Sequence, residues 1–166
     1  MGQVLDRGAL VRALAFDRAA GKRIVLTNGC FDLLHVGHVR SLRAARALGD
    51  VLVVGLNSDE SVRQLKGPDR PLVPQDERAE VLASLEPVRY VVVFDEPTAE
   101  HLAADVRPDV YAKGADYGRG GDIDTSRLPE AQVVAAHGGR TVLMPLVPGR
   151  STSELVERIR AGIDPA

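Results

Sequence analysis

Short apolar runs of strand length alternate with helix-length patterned segments along almost the whole chain. A strand, a helix and a second strand in succession return to one sheet as a parallel crossover, so the chain reads as α/β, a parallel sheet with helices on both faces. Five strands are expected, at 23–27, 51–56, 90–94, 110–112 and 141–144. The run from Val51 to Leu56 is apolar at every position, which marks a central strand buried on both sides. Helices are expected at 36–48, closed by Gly49, and at 59–65, 75–85, 98–105, 128–137 and 151–160, with Thr98 as an N-cap. Leu10, Ala13, Leu14 and Phe16 point to a further helix that ends near Gly21. Between these lie a Pro-interrupted, charge-rich loop at 66–74 and a Gly- and Asp-rich stretch at 114–124. The expected division is an N-terminal helical extension over 1–22, one domain over 23–161 and a tail over 162–166.

Composition removes several functions. The length of 166 residues suits one domain with a sizeable core. Lys and Arg total 21 against 23 for Asp and Glu, a formal charge of -2, which offers no general hold on a nucleic-acid backbone. Apolar runs fall far short of the roughly 20 residues that span a bilayer, so no membrane role is expected. The N-terminus lacks the pattern of a secretory signal and Cys30 is the single cysteine, so a cytoplasmic protein is expected. Aromatic residues make up 4% and Trp is absent, so platforms for stacking bases are scarce.

The segment Thr27-Asn28-Gly29-Cys30-Phe31-Asp32-Leu33-Leu34-His35-Val36-Gly37-His38 lies where the first of these strands passes into its helix, the place where open α/β sheets bind ligands. Backbone N–H groups at the helix start favour phosphate, and Gly29 and Gly37 carry no side chain to hold it away. His35 and His38, three residues apart, face one side of a first helical turn and can converge on one phosphate. As metal ligands, Cys30, Asp32, His35 and His38 match no common zinc spacing. The plainer alternative has His35 capping the loop and His38 solvated, but strand, both glycines and helix are all in place around the pair. The G-x-x-x-x-G-K-[ST] and G-x-G-x-x-G signatures are missing, which removes a P-loop enzyme and leaves a dinucleotide site without support.

His35-Val36-Gly37-His38 resembles the H-x-G-H motif of the nucleotidyltransferase superfamily, which includes cytidylyltransferases and pantetheine-phosphate adenylyltransferase. Its second motif, usually Ile-Ser-Thr-Ser, is matched by Arg150-Ser151-Thr152-Ser153, with Arg150 in place of Ile. Gly55-Leu56-Asn57-Ser58-Asp59, Leu65-Lys66-Gly67-Pro68, Leu128-Pro129-Glu130-Ala131 and the Pro145–Thr152 run are similar to the heptose 1-phosphate adenylyltransferase module. The similarity runs from about Arg23 to Ile159. It departs at Ala115, where a second Gly is usual, and in the longer link from Gly118 to Arg127. That module is often fused behind a sugar kinase, so this chain is expected to be the stand-alone form.

The resemblance implies a Rossmann-like fold and attack of a sugar phosphate oxygen on the α-phosphorus of ATP, with release of pyrophosphate. It casts His35, His38 and Lys66 as catalytic, the histidines on the α- and β-phosphates and Lys66 approaching from its loop; a solvated loop charge is the alternative for Lys66. Nucleotide contacts are implied for Thr27, Asn28, Gly29, Phe31, Gly37, Arg78, Lys113, Gly114, Asp116, Ser151 and Thr152. Surface pairing would equally explain Arg78, and N-capping Ser151. Substrate contacts are assigned to Cys30, Asp32, Asn57, Asp59, Arg70 and Arg150, with Asp32 otherwise fixing its loop. Mg²⁺ is expected to bridge the triphosphate, held by phosphate and water, with no protein ligand assigned. Partners are ATP, a sugar 1-phosphate and further copies in a homodimer or larger assembly. The rival functions are a cytidylyltransferase for glycerol phosphate or another polyol phosphate, and a non-catalytic nucleotide-binding module.

Overall fold

In a computed structural model of the chain, six strands form one sheet in the order β1-β4-β3-β2-β5-β8, every neighbouring pair parallel. The structure describes residues 1–115, 118–119, 122–124, 126–145 and 152–162. The sheet strands are β1 (Gln3–Val4), β2 (Ile24–Gly29), β3 (Val51–Asn57), β4 (Tyr90–Phe94), β5 (Val110–Gly114) and β8 (Arg140–Met144). Two-residue strands β6 (Gly118–Arg119) and β7 (Asp122–Ile123) pair antiparallel within the Gly- and Asp-rich stretch. The helices are α1 (Arg7–Ala19), α2 (Val36–Arg46), α3 (Asp59–Lys66), α4 (Gln75–Ala83), α5 (Glu100–Val106), α6 (Glu130–Ala136) and α7 (Thr152–Arg160).

The period-2 alternation of the strands sorts the core into two clusters, one on each face. Ile24, Leu26, Val51, Val53, Tyr90, Val92 and Tyr111 face α1, α5 and α6. Val25, Leu52, Val54, Leu56, Val91 and Val110 face α2 and α4. Strand β3 lies between β2 and β4 and is buried along its whole length, as its unbroken apolar run requires. At Gly55 a Cβ would stand 2.6 Å from Leu102 Cδ2, so the missing side chain lets α5 lie close against the sheet. From β2 the chain builds outward through β3 and β4 on one side, while β5 and β8 lie on the other. The switch point between β2 and β5 opens a crevice at the carboxyl ends of the strands.

Three local expectations change. Phe16 is 79% exposed, because it lies about 200° around the helix from Leu14. Asp17 takes the inward position after Leu10 and Leu14, accepting from Tyr90 Oη at 3.0 Å and from Lys22 Nζ at 2.8 Å. Thr98 is not an N-cap: α5 starts after Ala99, and Thr98 Oγ1 donates to Glu100 Oε2 at 2.7 Å. The sixth strand, β1, is a two-residue pairing too short to leave a periodic signal. Residues 1–22 thus supply an edge strand bonded to β4 and a helix whose Leu10 and Leu14 are fully buried in the core.

Candidate functional site

A cleft of about 860 Å³ occupies the crevice, walled by the end of β2, the start of α2, the end of α3, and the starts of α6 and α7. The loop from β2 turns through Phe31, whose φ of 46° lies in the left-handed region, and enters α2 at His35. His35 is the N-cap: its Nδ1 accepts from the Gly37 N–H at 3.1 Å, and His38 Nδ1 accepts from the His35 N–H at 3.4 Å. The rings stack at 3.9 Å between centroids, with Phe31 tilted against His38 at 5.3 Å. Because each Nδ1 is an acceptor, a neutral ring at either position carries its proton on Nε2. Burial, and then the neighbouring His35, push the His38 imidazole down to about 4. Near neutral pH His38 is therefore an uncharged Nε2–H donor on the cleft wall.

Two buried side chains hold this loop against its neighbours. Asp32 accepts from Arg70 Nε at 2.6 Å, from the Leu72 N–H at 2.8 Å and from the Val73 N–H at 3.0 Å. It joins the histidine loop to the segment between α3 and α4. Arg78, 2% exposed on α4, donates Nη1 to the carbonyls of Cys30 and Asn57 at 2.5 and 2.9 Å, Nε to that of Val73 at 2.9 Å, and Nη2 to Asp59 Oδ1 at 2.7 Å. One planar guanidinium thus ties the carboxyl ends of β2 and β3, the start of α3 and the start of α4.

The sequence profile of the cytidylyltransferase-like family matches residues 26–158, which holds both histidines and α7 up to Arg158. The chain belongs to the cytidylyltransferase-like family. Membership bears out the nucleotidyltransferase assignment read from the two motifs. Among curated relatives, the bifunctional protein HldE of Geobacter sulfurreducens is 50% identical over 157 residues, covering 95% of this chain and 31% of its own. That of Syntrophotalea carbinolica is 52% identical, with 92% and 30% covered. The chain thus spans about a third of the length of these relatives. A crystal structure of a lipopolysaccharide core biosynthesis protein from Thermoplasma volcanium superposes with a TM-score of 0.60 at 25% identity, covering 76% of this chain and 98% of that one.

Most residues that the family motifs single out meet at the cleft. Thr27, Asn28, Gly29, Cys30 and Phe31 line it from β2 and its loop, Gly37 from α2, Asn57 from β3, and Lys66 and Arg70 from the α3 end. Lys113 and Gly114 line it from β5, and Thr152 from α7, where its Oγ1 donates to the Leu33 carbonyl at 3.3 Å. At the switch point Asn28 Oδ1 accepts from Tyr111 Oη at 2.6 Å and from Lys113 Nζ at 3.2 Å, which fixes the lysine across β2 and β5. Burial raises the Cys30 thiol, opposed by Lys66, Arg78 and Lys113, so it stands as a neutral group on the wall.

Arg78 and Asp59 stand differently. Neither lines the cleft, and they bond to each other behind it. Asp116, Arg150 and Ser151 lie outside the described residues. Thr98, expected only as a helix cap, and Arg127 and Glu130 line the cleft without having been assigned to the site. The signal available for Glu130 was a charged residue inside Leu128-Pro129-Glu130-Ala131, at the start of a helix that buries its apolar side. Among the described residues no helix is long and apolar enough to cross a membrane.

Proposed function

We propose that this chain transfers AMP from ATP to a heptose 1-phosphate, giving ADP-heptose and pyrophosphate. The observation that carries the transfer chemistry is the stacked histidine pair, each ring oriented by a backbone N–H on its Nδ1. The choice of heptose rests on the adenylyltransferase motifs and on about 50% identity to the HldE proteins.

The sugar phosphate is ionised near neutral pH, so its oxygen attacks without a general base. Its bond to the α-phosphorus forms as the bond to the β-phosphate oxygen breaks, and pyrophosphate carries away the electron pair. What the protein supplies is alignment and stabilisation of charge on phosphate oxygens. His35 and His38 donate to the α- and β-phosphates. Thr27 lies beside them on β2, and Thr152, at the start of α7, takes the far phosphates together with Ser151 of the second motif. Lys66, exposed as the last residue of α3 before Gly67, has a long side chain with which to reach the transferring group. Lys113 and Gly114 serve the nucleoside, while Cys30, Asn57 and Arg70 contact the sugar phosphate. Asp32 and Arg78 act behind them by holding the loops.

Among the described residues no group of three His, Cys, Asp or Glu side chains is placed to hold a metal. Asp32, the nearest carboxylate to the histidines in sequence, is occupied by Arg70 and two backbone N–H groups. The donor set therefore offers no cage for Mg²⁺, which would enter on ATP with phosphate and water as its ligands. The same reading makes residues 23–161 the transferase domain of a cytoplasmic homodimer or larger assembly, and light scattering of the purified protein reads the last point.

The deciding experiment incubates the protein with Mg²⁺, each nucleoside triphosphate in turn and a panel of sugar and polyol phosphates, and follows pyrophosphate. ATP with heptose 1-phosphate is the expected pair. Release only with CTP and a polyol phosphate would sink the heptose reading, and no release with any pair would leave a binding module.

A further inference from the structure

Glu130 opens α6 and is 6% exposed, yet it forms part of the cleft wall. Its Oε1 accepts from the Ala99 N–H at 2.8 Å, at the start of α5. Its Oε2 has no hydrogen-bond partner and no cation pairs with it among the described residues. Oε2 is not one of the buried atoms left without a partner, so it opens onto the cleft, and a neutral acceptor would satisfy Ala99 equally well. The ordered ionic groups of the site lie elsewhere. His35 and His38 rise from α2 on one face of the sheet, whereas α6 packs on the other. Glu130 and the histidine pair thus reach one cleft from opposite faces of the sheet, and an ionised carboxylate can only accept hydrogen bonds. What suits it is a ligand with O–H donors.

We propose that Glu130 is a specificity-determining residue whose Oε2 accepts hydrogen bonds from hydroxyl groups of a sugar ring bound in the cleft. The inference rests on the transferase reading above and names how that site selects its ligand. Two rings share the chemistry, the acceptor sugar and the ribose of the nucleotide. A site built to bond a hydroxyl rejects the analogue that lacks it, since the carboxylate oxygen is then left unpaired.

The test compares wild type with Glu130→Gln, which keeps an acceptor for the Ala99 N–H, and with Glu130→Ala. Thermal melts establish that each is folded; if the alanine variant is not, the glutamine variant carries the comparison. Steady-state kinetics with ATP and D-glycero-β-D-manno-heptose 1-phosphate are run beside 2′-deoxy-ATP, 3′-deoxy-ATP and deoxy sugar 1-phosphates. The expected result is a loss of about tenfold or more in kcat/KM for one of the two substrates, carried by KM. The wild-type preference for that substrate over its deoxy analogue should shrink by a similar factor in the variant. A rise confined to the sugar phosphate assigns Glu130 to the acceptor, and one confined to ATP assigns it to the ribose. Unchanged KM values, or an equal loss for parent and deoxy compounds, overturns the proposal and leaves Glu130 as a structural cap on α5. Calorimetric titration with ATP, its deoxy forms and the sugar 1-phosphate gives the same comparison without turnover, so a failure of the transferase reading is seen separately as wild-type binding without pyrophosphate.

Discussion

At the residue scale the centre of the site is His38, buried enough to stay neutral and held so that Nε2 bears the proton. His38→Ala should lower kcat at least about a hundredfold, as expected for loss of a donor to charge developing in the transition state. Its melting temperature should change little, because the His35 cap on α2 remains. Near-normal turnover in a folded variant would remove His38 from the mechanism. The same ring predicts a pH dependence of stability. Between 6.5 and about 4 the unfolded imidazole binds a proton that the folded one refuses, so stability falls as pH drops through that window and is level above it. With allowance for the solvent that still reaches the ring, the loss is about 1–2 kcal/mol. Urea unfolding at a series of pH values checks it, and His38→Gln should flatten that part of the profile. The histidines were legible because their chemistry is local: spacing, flanking glycines and a strand-to-helix junction all lie within one segment. Glu130 was not, since its meaning comes from Ala99, far away in sequence.

At the scale of elements, the functional loop is held from behind. Arg78 gives four hydrogen bonds to residues drawn from β2, β3, α3 and the segment before α4. Arg78→Leu leaves those carbonyls and Asp59 without their donor and should cost about 3–5 kcal/mol in denaturant unfolding. Arg78→Lys should recover only part of this, since an ammonium cannot match the planar fork. If the leucine variant is as stable as wild type, Arg78 does not hold these loops together. Sequence placed Arg78 on a helix but could not choose between nucleotide contact, surface pairing and burial. Its neighbours on α4 give no hint, because the carbonyls it satisfies belong to loops whose meeting is a tertiary event. Most strands and helices were legible to within a few residues from apolar periodicity. Two strands run on into polar site residues that end the apolar signal, β2 at Asn28 and Gly29 and β5 at Lys113 and Gly114, while α2, α4, α5 and α6 are each shorter than expected at one end or both.

At the scale of the whole molecule, one sheet holds the cleft and both core clusters, and residues 1–22 belong to that arrangement. Leu14 is fully buried against the sheet, so Leu14→Ala should destabilise the protein by about 2–5 kcal/mol. A loss near zero on thermal or denaturant unfolding would mark α1 as a detachable extension. The sequence showed α1 but not its attachment, since neither the pairing of β1 with β4 nor the contact of α1 with α5 leaves a periodic trace. The pairing of β1 with the first residues of β4 also settles the geometry of the amino end. Strand β1 runs parallel to β4, so Gln3 lies at the rim of the sheet opposite the one where ligands bind. A tether, a surface or a second enzyme attached ahead of Gln3 would hold the molecule by its back and leave the mouth of the cleft facing outward.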